Sequence, residues 1–364
     1  MIPFVNLSAQ YKAYKSEIDA AIATVLESGV LIGGPEVQRL EQTLSQKTGA
    51  PFAISCSSGT SALALVLSAL HLEPGDEVVL PDYTFVATAE AVVIAGGIPR
   101  FADVGEDFLI SPRSVEERIS EKTVGIIAVD LFGQCADYTA LRKIAQKHGL
   151  WLLEDAAQSF GATQNGIAAG SLATAAATSF YPTKPFGAFG DGGAVFTNDP
   201  DIASRVREFS RHGQSESGRH TSIGTNSRLD ALQAAVLNVK FKHLETELRI
   251  RQRNADLYRE AFPSEAFRLP MIAENNTSVF AQYAVCTQDR EAFIQKLSQH
   301  GIPTRIYYPR PLSAEPCFEQ FKTTVNDARN NPNAYRLSRE SFCLPIDAFS
   351  DVSTFAQKIA SLCR

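Results

Sequence analysis

Apolar and polar positions along this chain repeat in two rhythms, one helical and one extended, and the places where the rhythm changes outline the fold. Ile18, Ala21, Ile22, Val25 and Leu26 recur every three or four positions, which predicts a helix over Ser16 to Ser28 stopped by Gly29. Residues 1–15 read as an arm, extended at IPFVNL, and Val30 to Pro35 as a turn. Glu36 to Lys47 repeats the helical spacing and is closed by Gly49. From Phe52 onward short apolar runs alternate with helical stretches. Strands are expected at Phe52–Cys56, Glu77–Leu80, Pro99–Asp103, Val124–Val129 and Trp151–Glu154, then at the apolar run Ala173–Phe180 and at Ala194–Asn198. Helices are expected between them, from Ser57 to about His71, over Thr84–Ala95, Pro112–Ser120 and Tyr138–His148, and after the last strand over Asp201–Ser210. Strands alternating with helices of about ten residues predict βαβ units. The fold class is therefore α/β, a mainly parallel sheet with helices on both faces. Ligands of such sheets bind beyond the carboxyl ends of the strands.

The second half departs from that rhythm. Arg211 to Gly224 is polar and is expected to be a mobile loop, and Ser227 to Arg253 to be one long helix or two joined ones. Beyond it come a strand at Gln282–Thr287, a helix at Arg290–His300, a strand at Thr304–Tyr308, and helices at Asn333–Glu340 and Val352–Cys363. This order predicts a large α/β domain over 1–245 with an N-terminal arm, and a smaller α+β domain over 246–364.

Composition narrows the function without choosing it. At 364 residues, 45% hydrophobic and 20% charged, the chain is an ordinary globular protein. A formal net charge of −6 disfavours binding to nucleic acid along the chain, while leaving room for a local basic pocket. The six cysteines form no C-x-x-C pair and have no histidine at metal spacing, so they read as reduced thiols. MIPFVNLSAQ shows no basic stretch followed by an apolar one. No apolar run reaches the roughly 18 residues of a membrane span. The expected location is the cytoplasm, with neither membrane nor nucleic acid as partner.

Four stretches at strand ends carry candidate chemistry. Ser57-Ser58-Gly59-Thr60-Ser61 joins a strand to a helix, where free amides and a partial positive charge suit a phosphate; the same residues also suit an ordinary helix cap. Glu154-Asp155, with Gln158, follows WLL. A carboxylate there can hold a proton on a pyridine nitrogen or cap the next helix. Tyr83-Thr84-Phe85 offers an aromatic for a flat ring, or for the core. Lys184 lies 29 positions beyond Asp155, between Pro182 and Pro185, and Gly187, Gly190, Gly192 and Gly193 follow it. It is a shaped turn, and its lysine is either a surface residue or a desolvated nucleophile. Ser179, five residues earlier, adds a hydroxyl. Together these are the parts that pyridoxal 5′-phosphate (PLP) requires. No G-x-x-x-x-G-K-[ST] loop and no metal-ligand spacing is present.

The motifs SSGTSAL, PGDEVVLPDYTFVATAEAV, GQCAD, LEDAAQSFGA, SFYPTK, GDGGAVFTND, NSRLDALQAAVL and HGIPTRIYYPRPL span essentially the whole chain. They resemble the DegT/StrS sugar aminotransferases, PLP-dependent transferases of fold type I with a seven-stranded-type sheet. ISCSSGTSAL, GQCADY, SFYPTKPFG and NNTSVFAQY are most similar to members that aminate a UDP-linked 3-keto-N-acetylglucosaminuronic acid for O-antigen and lipopolysaccharide synthesis.

The resemblance implies that Lys184 forms the Schiff base and shuttles the proton, that Asp155 pairs with the pyridinium nitrogen and Gln158 with the ring hydroxyl, and that Phe85 stacks on the ring. It implies that Gly59, Thr60 and Ser179 hold the phosphate, and that Asn226 reaches the phosphate of a second subunit, making a homodimer with shared sites. Arg228, Tyr307 and Tyr308 are implied to face substrate, and Val30 to Gly34 to line the partner's sugar-nucleotide pocket. The expected substrates are a nucleotide sugar and an amino-acid donor, glutamate by analogy. Two departures stand out: Tyr307-Tyr308-Pro309 where close relatives often carry His-Tyr-Pro, and Pro185-Phe186 after the lysine. The alternatives are a dTDP-keto-deoxysugar as acceptor, a PLP-dependent dehydratase or epimerase, whose known members carry histidine at the lysine position, and a non-catalytic role.

Overall fold

The computed structural model describes residues 3–215, 218–263, 266–321 and 330–363. Helix α1 (Leu7–Ser28) starts nine residues earlier than its apolar spacing predicts, because Asn6 caps it by accepting from the amide of Ala9 at 3.2 Å. The expected arm is thus mostly helix, and of its stretch Met1 and Ile2 lie outside the described residues. Gly29 ends α1 in the left-handed conformation at φ 67°.

After α2 (Gly34–Thr48) the sheet elements follow in order: β1 (Phe52–Cys56), α3 (Gly59–Ala69), β2 (Glu77–Pro81), α4 (Ala87–Ile94), β3 (Ile98–Ala102), α5 (Pro112–Arg118), β4 (Thr123–Val129), α6 (Tyr138–His148) and β5 (Trp151–Asp155). A small antiparallel pair, β6 (Thr163–Gln164) and β7 (Ile167–Ala168), comes next. Then follow β8 (Ala175–Ser179), β9 (Gly193–Thr197), α7 (Pro200–Phe209) and α8 (Ala231–Ala261).

The central sheet has seven strands in the order β1-β9-β8-β5-β4-β2-β3. Its run from β8 to β3 is parallel, and β9 is antiparallel to both neighbours. The strands read apolar on both faces because both faces are covered. Val79, Ile126, Ala128 and Leu152 pack with Val115 of α5 and Leu141 of α6. The alternate positions Val78, Leu80, Ile127 and Leu153 pack with Leu63 of α3, Val92 of α4 and Val206 of α7.

The expected boundary at 245/246 falls inside α8, which runs unbroken to Ala261. Beyond it, β10 (Tyr283–Cys286), α9 (Arg290–Gln299), α10 (Pro332–Glu340), β11 (Ser341–Leu344) and α11 (Val352–Leu362) enclose a separate apolar cluster that includes Tyr258, Tyr283, Phe342 and Phe355. The predicted strand at Thr304–Tyr308 is corrected: this stretch makes one isolated bridge, Arg305 to Cys343. The partner of β10 is instead β11, a strand the helical spacing before it concealed. The expected loop at Arg211 to Gly224 is, in its described residues, tied down by bridges Arg211–Asn226 and Gln214–His220 and by Glu208 accepting from Thr221 and Ser222; Glu216 and Ser217 lie outside the described residues.

Candidate active site

Six of the seven strands, all but β9, run the same way and end at one edge of the sheet, and the expected cofactor residues of that edge sit at or just beyond those strand ends. Asp155 closes β5 between Val129 of β4 and Ala177 of β8. Its carboxylate is buried and accepts from the Thr88 hydroxyl at 2.8 Å and the Ala157 amide at 3.2 Å. Burial pushes its pKa up, while those two bonds and the charge of Lys184 pull it down.

Lys184 hangs from the turn after β8. That turn is closed by the bonds Lys184 N to Tyr181 O at 2.8 Å and Ala188 N to Phe180 O at 2.7 Å. Gly187 is required there, because a Cβ would lie 2.6 Å from the carbonyl oxygens of Tyr181 and Pro182. Helix α8 clamps the same turn: the buried Lys240 donates to the Gly187 carbonyl, and Gln233 accepts from the Phe189 amide at 2.9 Å. Lys184 keeps some access to solvent, yet enough protein surrounds its ammonium that desolvation pushes its pKa down to about 8, against the opposing pull of Asp155.

The anion cradle forms at the start of α3. Ser58 is its cap, accepting from the Ser61 amide at 3.1 Å, and the amides of Gly59 and Thr60 have no acceptor among the described residues. Ser179 lies against Gly59 so closely that a Cβ would meet its own at 2.7 Å. Of the two possibilities open in the sequence, the cap is seen at Ser58, and it leaves the amides of Gly59 and Thr60 and the Ser179 hydroxyl available as donors. Phe85 is 56% exposed at the strand-end edge while Tyr83 is buried with its hydroxyl 2.7 Å from that of Ser341, so Phe85 is the aromatic left over for a ring.

Gln158 is buried and already engaged. Its oxygen accepts from the Phe132 amide at 2.8 Å, and its nitrogen donates to the Tyr308 hydroxyl at 3.0 Å. Tyr308 is buried beside Gln158, edge-on to Tyr83 and stacked on Phe132. Tyr307 is half-buried against Phe4. Asn226 and Arg228 are exposed and flank Ser227, whose hydroxyl lies 3.1 Å from that of Ser57 beside the cradle; Arg228 also lines a cavity of about 400 Å³ with Ile32, Gly33, Arg207 and Arg211.

The residues not anticipated are those that hold others. Asp130, at the end of β4, accepts from Ser159 at 2.7 Å, Tyr138 at 2.9 Å and the Ala136 amide at 2.9 Å, and its own amide bonds the Asp155 carbonyl at 3.1 Å. It faces the buried Glu154, and burial plus the negative Asp130 pushes Glu154 well above the usual range. Phe132 adopts φ 61°, a left-handed conformation rare for a non-glycine, and in it presents its amide to Gln158. The end-of-strand rule flags Asp130; nothing in the sequence flags Phe132 or Lys240.

A lysine of lowered basicity, a buried acid on the neighbouring strand, unfilled amide donors at a helix start and a bare aromatic fit pyridoxal phosphate. Among the described residues no group of three or more metal-ligating side chains exists, and no helix is long and apolar enough to cross a membrane.

Comparison with known proteins agrees. UDP-2-acetamido-2-deoxy-3-oxo-D-glucuronate aminotransferase of Pseudomonas aeruginosa is 41% identical over 365 residues, covering 100% of this chain and 99% of that protein. The structure of S. venezuelae DesV superposes with a TM-score of 0.95 at 35% identity, covering 100% of this chain and 98% of that one. That of Bacillus subtilis NtdA with bound cofactor PMP superposes with a TM-score of 0.87 at 28% identity, covering 99% and 85%. A family model matches residues 12–357, and PLP is the cofactor of that family. The chain belongs to the DegT/DnrJ/EryC1/StrS aminotransferase family of sugar transaminases.

Proposed function

We propose that this chain moves the amino group of an amino acid, glutamate, to the keto carbon of a UDP-linked 3-keto-N-acetylhexuronic acid. It does so in the cytoplasm, as a homodimer, for surface polysaccharide or lipopolysaccharide synthesis. The observation that carries the chemistry is the pairing of Lys184, its pKa pushed down to about 8, with the buried Asp155 on the adjacent strand end. The full-length likeness to the Pseudomonas aeruginosa enzyme supports the acceptor class.

When bound, PLP supplies an electron sink that loosens a proton from the carbon bearing nitrogen. The chain's residues do the rest. Asp155, fixed by Thr88 and Ala157, holds a proton on the ring nitrogen. Lys184 with a pKa near 8 is about one-tenth neutral at pH 7, against under a thousandth for an ordinary lysine, so it accepts and returns the proton without large cost. The amides of Gly59 and Thr60 and the Ser179 hydroxyl would hold the phosphate, Phe85 would pack on the ring, and Gln158, with one N–H left beyond its bond to Tyr308, would donate to the ring hydroxyl. Asn226 and Arg228, exposed on one protomer, complete the site of the other.

The test is direct. Purified protein supplied with PLP should give a chromophore that borohydride traps on Lys184. Glutamate should bleach it, and the UDP-3-keto sugar should restore it with the mass of a UDP-3-amino sugar appearing. No trapped label at Lys184 would overturn the assignment.

A further inference from the structure

Beside the lysine turn lies a cavity of about 430 Å³ whose walls include Phe4, Val5, Thr183, Thr304, Arg305 and Tyr307. Two landmarks tie it to the active site. Thr183 immediately precedes Lys184. Arg305 is three residues before Tyr308, whose hydroxyl bonds Gln158, so their Cα atoms can be no more than about 10 Å apart.

Arg305 is presented rigidly. Its backbone exchanges both hydrogen bonds with Cys343, at 3.1 and 2.7 Å. Its guanidinium sits over the Phe4 ring, 5.4 Å from the centroid. Among the described residues it has no carboxylate partner, and no acidic residue lines the cavity. Among the described arginines of the C-terminal part, Arg268, Arg290, Arg310 and Arg336 each face an acid, whereas Arg305 faces none. A planar fork held over an aromatic and facing a cavity without acids is built for a carboxylate.

We propose that this cavity is a carboxylate subsite of the active site and that Arg305 is its anchor, a specificity-determining residue. The inference rests on the transaminase reading above and deepens it. The carboxylate comes from one of two ligands that visit in turn, the uronate of the sugar or the amino donor.

The experiment is calorimetric binding to the PLP-loaded protein, with UDP-glucuronate, UDP-glucose and 2-oxoglutarate as probes. It compares the wild type with Arg305→Met and Arg305→Lys, each first shown to keep the wild-type melting temperature and PLP absorbance. Loss of one charge-assisted bond predicts at least about tenfold weaker binding of a carboxylate probe to Arg305→Met, partial rescue in Arg305→Lys, and no change for UDP-glucose. Weakening of UDP-glucuronate alone supports the subsite and assigns it to the uronate; weakening of 2-oxoglutarate alone supports it and assigns it to the donor; weakening of both supports one subsite shared by successive ligands. Unchanged affinity for both carboxylates, or an equal loss for UDP-glucose, overturns the proposal and leaves the transaminase reading standing. A wild type that takes up PLP yet binds neither carboxylate probe overturns the subsite, while the transaminase reading stands or falls on the borohydride label at Lys184.

Discussion

The floor of the site and its rim are built on opposite plans. On the floor, Asp155, Gln158, Asp130 and Glu154 are buried, and each makes two or more hydrogen bonds within the chain, Glu154 accepting from the amides of Gly170 and Leu172 at 2.6 and 3.0 Å. On the rim, Phe85, Asn226, Arg228 and Arg305 are exposed. A buried polar group must find its partner within the fold or destabilise it, so the floor is complete before any ligand arrives. An exposed group carries no such requirement, and what it contacts is decided by ligands or by a second copy. On the proposed function, the floor sets which reaction runs and the rim sets which molecule undergoes it.

The largest break in that contrast comes from the floor. Lys184→Ala should lower amino transfer by at least about 10⁴-fold while leaving the circular dichroism spectrum unchanged, because the nucleophile and the proton carrier are one atom. Single-turnover rates with glutamate check it; retention of more than a percent of the wild-type rate contradicts the role. Asp155→Asn should cost about 10²–10⁴-fold in kcat with the turn geometry intact, since the amide cannot hold a proton on the ring nitrogen.

The rim makes a different kind of prediction. If Asn226 and Arg228 serve the partner's site, then Lys184→Ala and Arg228→Ala are each poor alone, yet mixing them restores about a quarter of the wild-type sites. Half the dimers are then mixed, and each mixed dimer carries one intact site of two. A mixture no more active than its components would place Arg228 in its own protomer's site or outside any site.

The same division governs how much could be read beforehand. Floor elements follow from rules local in sequence: an apolar strand of five to seven residues fixes where its end falls, and the end fixes where Asp155 and Lys184 sit. Asp130 follows by the same rule, at the end of VGIIAV. The misreadings occur where a contact distant in sequence decides. Leu7 to Lys15 is helical because Gln10 reaches Glu247 on α8 and Tyr14 stacks on His243, both more than 200 residues away. Ser341–Leu344 is a strand because Tyr283–Cys286 pairs with it, although it follows a helix without a break. The Gln158–Tyr308 bond, between residues 150 positions apart, is likewise a contact that no local pattern encodes. For the rim the sequence offered only likeness, because exposed polar residues follow no period.

The smallest effect expected is on stability, and it separates floor from rim without any turnover. In the ligand-free protein desolvation pushes the Lys184 ammonium down to a pKa of about 8, against the ordinary 10.5 that it regains on unfolding. Below pH 8 both states are protonated, and the folded state bears the whole cost of the buried charge. Between 8 and 10.5 the unfolded chain binds a proton that the folded chain does not, so stability rises with pH through that window. Lys184→Met removes the cost, which makes the ligand-free variant more stable than wild type at pH 7 by on the order of 2 kcal/mol. Asp155 loses a favourable charge in the same substitution, which offsets part of the gain. The advantage should shrink as pH passes 8 and be nearly gone by 10.5, while the titration of Lys240, present in both proteins, cancels in the difference. Arg228→Met, on the exposed rim, should change stability by less than about 0.5 kcal/mol. Urea denaturation at about pH 7 and about pH 10 measures both; a Lys184→Met protein less stable than wild type at the lower pH would mean that the ammonium is solvated, and that the turn carrying it belongs with the rim and not with the floor.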